Sequence, residues 1–155
     1  MKKLFVAAVA IAMIAIGGTA MGVDTATVTV TATVSPTCRF NSSTAALAFG
    51  VLPVPAADTS ASASLSFWCT TGATYTITDD DGLDETGVDA NRMRSTGPGP
   101  AQFMPYSFTY APAGGTGLGP AVPITLNIAG NVLAASYASL PGDVYQDTVT
   151  LTINP

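Results

Sequence analysis

Residues 25–34 read Thr-Ala-Thr-Val-Thr-Val-Thr-Ala-Thr-Val, a strict alternation of threonine with an apolar residue. Side chains along a β-strand alternate faces with a period of two, so Ala26, Val28, Val30, Ala32 and Val34 share one face. Pro36, which cannot donate to a ladder, ends the run. A second clean alternation occupies residues 145–153, Tyr-Gln-Asp-Thr-Val-Thr-Leu-Thr-Ile. There Tyr145, Val149, Leu151 and Ile153 face one way, while Gln146, Thr148, Thr150 and Thr152 face the other. Between these two stretches no 3.6-residue period appears. Short runs of β-forming residues alternate instead with Gly, Pro and Asp clusters, which predicts strands at 38–40 with 46–49, 63–70, 74–78, 92–95, 105–110 and 122–128. About seven short strands with turn signals every eight to twelve residues predict an all-β, immunoglobulin-like sandwich. A one-faced apolar strand placed ahead of the rest either completes its own sheet or reaches into a neighbour's.

The beginning of the sequence is an export leader. Lys2 and Lys3 precede an apolar run over residues 4–16, and the small residues Gly17, Gly18, Ala20 and Gly22 follow, the composition of a secretory cleavage site. The apolar run is shorter than the ~20 residues that a membrane-spanning helix needs. Cutting after Gly22 leaves an N-terminal extension at 23–37 and one domain at 38–155. It also removes both lysines, so that Arg39, Arg92 and Arg94 stand against ten acidic residues. No basic patch serves nucleic acid or an anionic membrane.

There is no histidine, and Cys38 and Cys69 are the only cysteines. In an exported chain two cysteines at this separation make one disulfide, and a metal site would need ligands that are missing. Acid–base chemistry would fall to carboxylates and tyrosines alone. Six of the ten acids crowd into residues 79–89, a surface turn rather than two carboxyls facing each other across a sugar. Within it Asp79, Asp81 and Asp84 have a spacing like that of calcium loops, but Leu83 stands where a further ligand belongs, and a solvated turn is the expected form. Trp68, beside Cys69, is expected to pack on the disulfide as part of the core. The sequence predicts no enzyme, no cofactor and no metal.

Several segments together resemble the spore coat U domain family, which includes the pilins of archaic chaperone–usher fimbriae. They are Cys38 with Ala46-Leu47-Ala48-Phe49-Gly50, then Leu65-Ser66-Phe67-Trp68-Cys69-Thr70 and Tyr75-Thr76-Ile77-Thr78. Arg92-Met93, Met104-Pro105-Tyr106-Ser107-Phe108 and Tyr145-Gln146-Asp147-Thr148-Val149-Thr150-Leu151 follow in the same order. The resemblance implies an incomplete immunoglobulin-like sandwich lacking its final strand, G. A periplasmic chaperone first fills the gap. At an outer-membrane usher the N-terminal extension of the next subunit then replaces it, by donor-strand exchange. On this resemblance Ala26, Val28, Val30, Ala32 and Val34 are the donor strand. Tyr145, Val149, Leu151 and Ile153 belong to strand F, which borders the acceptor groove, and Cys38 and Cys69 link strand A to the end of strand B. The expected function is a structural subunit of a surface filament supporting adhesion and biofilm formation, with identical or homologous pilins as partners. The alternative is a self-contained secreted β-sandwich, a coat or carbohydrate-binding protein. Where relatives carry a Gly-Arg-Ile-Pro-like stretch, this chain has Ala129-Gly130-Asn131-Val132.

Overall fold

A computed structural model describes residues 22–155; the leader read at 1–22 lies, but for Gly22, outside them. Two units make up the chain, one ending at Thr33 and the other running Val34–Pro155. In the first, residues 22–33 carry no helix or strand, and Val28 and Val30 are 81% and 87% exposed.

The second unit is all-β but for one helical turn. Its elements are β1 (Cys38–Phe40), β2 (Thr59–Cys69), β3 (Thr74–Asp79), β4 (Arg92–Ser95), β5 (Phe103–Pro105), β6 (Ser107–Ala111), β7 (Gly114–Thr116), β8 (Ile124–Val132), α1 (Ala134–Tyr137), β9 (Tyr145–Gln146) and β10 (Leu151–Asn154). Every pairing is antiparallel. The sheets run β1-β2-β8-β6, β10-β3-β7 and β5-β4-β9. The first sheet faces the second in a sandwich: Phe67 and Cys69 of β2 and Leu126 of β8 meet Tyr75 and Ile77 of β3, all buried. Phe67 and Tyr75 pack edge to face with ring centroids 5.0 Å apart, a geometry the ring quadrupoles favour. Cys38 lies directly opposite Cys69 in the β1–β2 register and is bonded to it.

The differences from the sequence reading have local causes. The run predicted at 105–110 is two strands, because the chain leaves the third sheet at Pro105, spends Tyr106 in between and joins the first sheet at Ser107. Likewise the run at 145–153 pairs with β4 through Tyr145 and Gln146 and with β3 from Leu151 onward, leaving 147–150 outside any ladder. Residues 46–49 alternate as a strand would but have no partner strand among the described residues. The short β7 went unpredicted because glycine disfavours strands. It forms because Gly115 has no side chain: a Cβ there would sit 2.8 Å from the Tyr75 hydroxyl. Trp68 is a correction. The alternation that buries Phe67 and Cys69 turns Trp68 to the outer face of β2, opposite Arg39, half-exposed and outside both core clusters.

The acidic turn is bonded rather than merely solvated. Asp80 Oδ1 accepts from the N–H groups of Thr150 (2.8 Å) and Gly82 (3.1 Å), and the Thr150 bond leads in holding its carboxyl below the usual carboxylate range. Asp81 Oδ1 accepts from Asp89 N–H at 3.0 Å. Buried Asn91 donates through its side-chain amide to the Asp81 carbonyl. Arg92 lies over the Phe103 ring, 4.0 Å from its centroid. Among the described residues no group of three or more His, Cys, Asp or Glu side chains is gathered to hold a metal.

The disulfide closes a loop with a sequence separation of 31 residues. On the chain-entropy account such a loop contributes about 3–4 kcal/mol. Replacing both Cys38 and Cys69 by Ala should lower the stability from chemical denaturation by that amount, and thiol alkylation of the unreduced wild type should find no free cysteine.

Candidate functional site: an open groove across a divided core

The hydrophobic interior falls into two clusters. One gathers Phe67, Cys69, Tyr75, Ile77 and Leu126, with Phe40, Leu65, Leu151 and Ile153 against them. The other gathers Met104, Val132 and Tyr137, with Phe49, Met93, Tyr106 and Tyr145 against them. Ile128, Phe108, Leu47, Ala63 and Val149 belong to neither cluster. All five line a cleft of about 710 Å³ whose lining also takes in Phe40 and Leu151 of the first cluster and Phe49 and Tyr145 of the second.

Its walls are two stretches of backbone. The first is 42–49, whose residues 45–49 make no backbone hydrogen bond among the described residues. Leu47 and Phe49 turn inward, while Ala46 and Ala48 are exposed. The second wall is 145–151, continuing into β10. Among the described residues β10 pairs with β3 alone and so forms the edge of its sheet. In an antiparallel pair alternate N–H and C=O groups of an edge strand point away from the partner, and Leu151, the first residue of β10, lines the cleft. The two walls run in opposite directions, since Phe40 and Leu151 pack into the first cluster and Phe49 and Tyr145 into the second. The strip carries apolar side chains along much of its lining and is bordered by backbone that has no ladder partner among the described residues, at 45–49 and 147–150, the arrangement to which an added strand can pair.

One polar device spans the cleft floor. Asp147 Oδ2 accepts from the Tyr106 hydroxyl at 2.7 Å, and Asp147 Oδ1 accepts from the N–H groups of Leu83 (2.9 Å) and Thr148 (2.7 Å). Burial, then the Asp147 carboxylate, push the Tyr106 hydroxyl well above the ordinary tyrosine range. With Asp80 holding the Thr150 N–H, these two carboxylates anchor the 147–150 stretch that no strand supports. Nearby, Tyr110 donates to Asp79 Oδ1 at 3.1 Å. Burial first and then this carboxylate raise its hydroxyl to about 12.

Of the site residues read from the sequence, Tyr145, Val149 and Leu151 line the cleft. Ile153 packs instead into the first core cluster. Ala26, Val28, Val30 and Ala32 lie in the first unit and Val34 opens the second, all exposed. The reading missed the Asp147–Tyr106 bond. Its signal was Asp147 standing at an inward position of an alternation that is otherwise apolar. It also missed the facing wall, whose signal was the Leu47/Phe49 alternation.

The chain matches the sequence profile of the Spore Coat Protein U domain over residues 24–152. No curated protein matches it significantly. Among solved structures it is similar to a chain in the crystal structure of the CsuC–CsuE chaperone–tip adhesion subunit pre-assembly complex from archaic chaperone–usher Csu pili of Acinetobacter baumannii. The TM-score is 0.51 at 20% identity, covering 78% of this chain and 40% of that one. The chain therefore spans well under half the length of the solved chain it matches.

Replacing Asp147 by Ala removes three hydrogen bonds and strands the Tyr106 hydroxyl, at a cost of about 1–3 kcal/mol. Tyr106→Phe removes one bond without stranding the tyrosine, and should cost about 1 kcal/mol. Denaturant unfolding of the two variants should rank them in that order.

Proposed function

The chain belongs to the Spore Coat Protein U domain family, and from that premise we propose that it is a structural subunit of an extracellular chaperone–usher filament assembled by donor-strand exchange. It is exported through the periplasm to the cell surface, where the filament supports adhesion and biofilm formation. It performs no catalysis. Identical or homologous pilins are its partners in the filament, and a periplasmic chaperone and an outer-membrane usher handle it during assembly.

The observation that carries this reading is the open groove bordered by backbone without a ladder partner among the described residues, together with a segment of matching chemistry. The groove takes one extended chain with apolar side chains on alternate positions, the strand-addition mode of recognition. Ala26, Val28, Val30, Ala32 and Val34 supply that pattern and are exposed. Burying three valines and two alanines contributes about 5–9 kcal/mol as an upper estimate, and each ladder hydrogen bond adds about 0.5–1.5 kcal/mol. That is enough for one short segment to join subunits firmly. The overlay of 78% of this chain on a chain of a chaperone–subunit complex supports a chaperone as a partner.

The double change Val28→Asp with Val30→Asp puts two charges where a donor must bury apolar groups, at a cost of several kcal/mol. The altered subunit should still take up a supplied donor peptide in its own groove, yet fail to extend a chain, so that electron microscopy finds no filaments. The reading falls if the unaltered protein persists as a heat-resistant monomer with 25–34 protected from exchange, or if the double variant polymerises normally.

A further inference from the structure

Gly130 lies inside the nine-residue strand β8, paired with Ala61 on one side and Phe108 on the other. A glycine there weakens a strand, and often marks a close approach of other atoms. Backbone conformation does not call for it, since Gly130 is absent from the glycines with positive φ. Its inward-facing neighbours on β8, Leu126, Ile128 and Val132, are all large and buried. What Gly130 makes room for is the first wall of the groove. A Cβ at this position would meet Leu47 Cδ2 at 2.8 Å, Phe49 Cζ at 3.0 Å and the Ser107 carbonyl at 2.9 Å.

That contact has unusual leverage. Residues 45–49 have no backbone hydrogen bond among the described residues, so side-chain packing sets where this wall stands. Phe49 packs edge-on against Tyr106, centroids 6.1 Å apart, and Tyr106 donates to Asp147 on the opposite wall. Gly130, Phe49, Tyr106 and Asp147 thus form one line of contacts from wall to wall.

We propose that Gly130 is the positioning residue of the groove: its missing side chain lets Leu47 and Phe49 settle onto β8 and holds the two walls one strand apart, which sets the size of donor side chain admitted. This deepens the donor-strand reading and rests on it. A methyl group at 130 pushes Leu47 and Phe49 into the space the donor fills.

The test uses a synthetic peptide of residues 23–36 and three versions of it, with Val28, Val30 or Val34 trimmed to Ala. Binding is measured to the disulfide-bonded wild type and to Gly130→Ala. Overpacking by one methyl should weaken the full peptide by about tenfold or more. Each trimmed peptide should bind the wild type more weakly than the full one, but at least one should bind Gly130→Ala better than the full one does. That inversion would not arise from a general loss of stability. Equal binding of the full peptide to both proteins overturns the proposal, as does the same ranking of peptides on both. Failure of the full peptide to bind the wild type overturns the donor-strand reading itself. Should Gly130→Ala not accumulate as folded protein, Leu47→Ala in the wild-type background draws the same wall back, and at least one peptide enlarged from Val to Leu at 28, 30 or 34 should then bind better than the full peptide; no such gain overturns the proposal.

Discussion

Backbone N–H and C=O groups that lose water without gaining a partner cost free energy comparable to a lost hydrogen bond. In this protein two stretches without a ladder partner among the described residues, 45–49 and 147–150, line the same cleft. The disulfide ties β1, where the first wall begins, to the end of β2. The acidic turn holds the second wall from outside through Asp80, and Asp147 holds it from beneath through Tyr106. Each of these bonds acts on a segment that lacks the ladder which would otherwise position it. The core divides into two clusters because the residues that should join them, Ile128, Phe108, Ala63 and Leu47 among them, face the gap instead.

An open apolar strip beside free strand edges is a standing invitation to uncontrolled pairing. Composition offsets part of that hazard. Ten acidic residues against five cations give a net negative charge that favours repulsion between copies, and eight of the acids fall at 79–89 and 143–147. A segment that replaces water in the groove must therefore match it closely, with neutral, apolar side chains at every second residue. Residues 25–34, which carry no charge, do so.

The sequence made the sandwich and the disulfide readable because each rests on a short-range rule: period two, or a lone pair of cysteines; the alternation at 25–34 forms no strand within the chain itself. The inward faces of β2, β3 and β8 follow that period residue by residue. What escaped depends on partners distant in sequence. Nothing local distinguishes Leu47 and Phe49, which pair with no strand, from Leu65 and Phe67, which do. Nothing local says that the alternation at 145–153 changes sheets midway, or that Trp68 faces out. Asp147 and Gly130 break the local pattern, and both prove to touch the walls of the groove; the exceptions to the pattern were the better guide to the site.

The central claim is that the fold lacks one strand and that the two edges stay unpaired until another chain supplies it. Amide hydrogen exchange measured residue by residue tests it most directly, on the wild type before and after addition of the 23–36 peptide. The account predicts fast exchange at 45–49 and at outward-pointing amides of 149–153 in the free protein, beside slow exchange along β2 and β8, and strong protection of both edges once the peptide is added. Protection of both edges in the free protein, unchanged by the peptide, would contradict it.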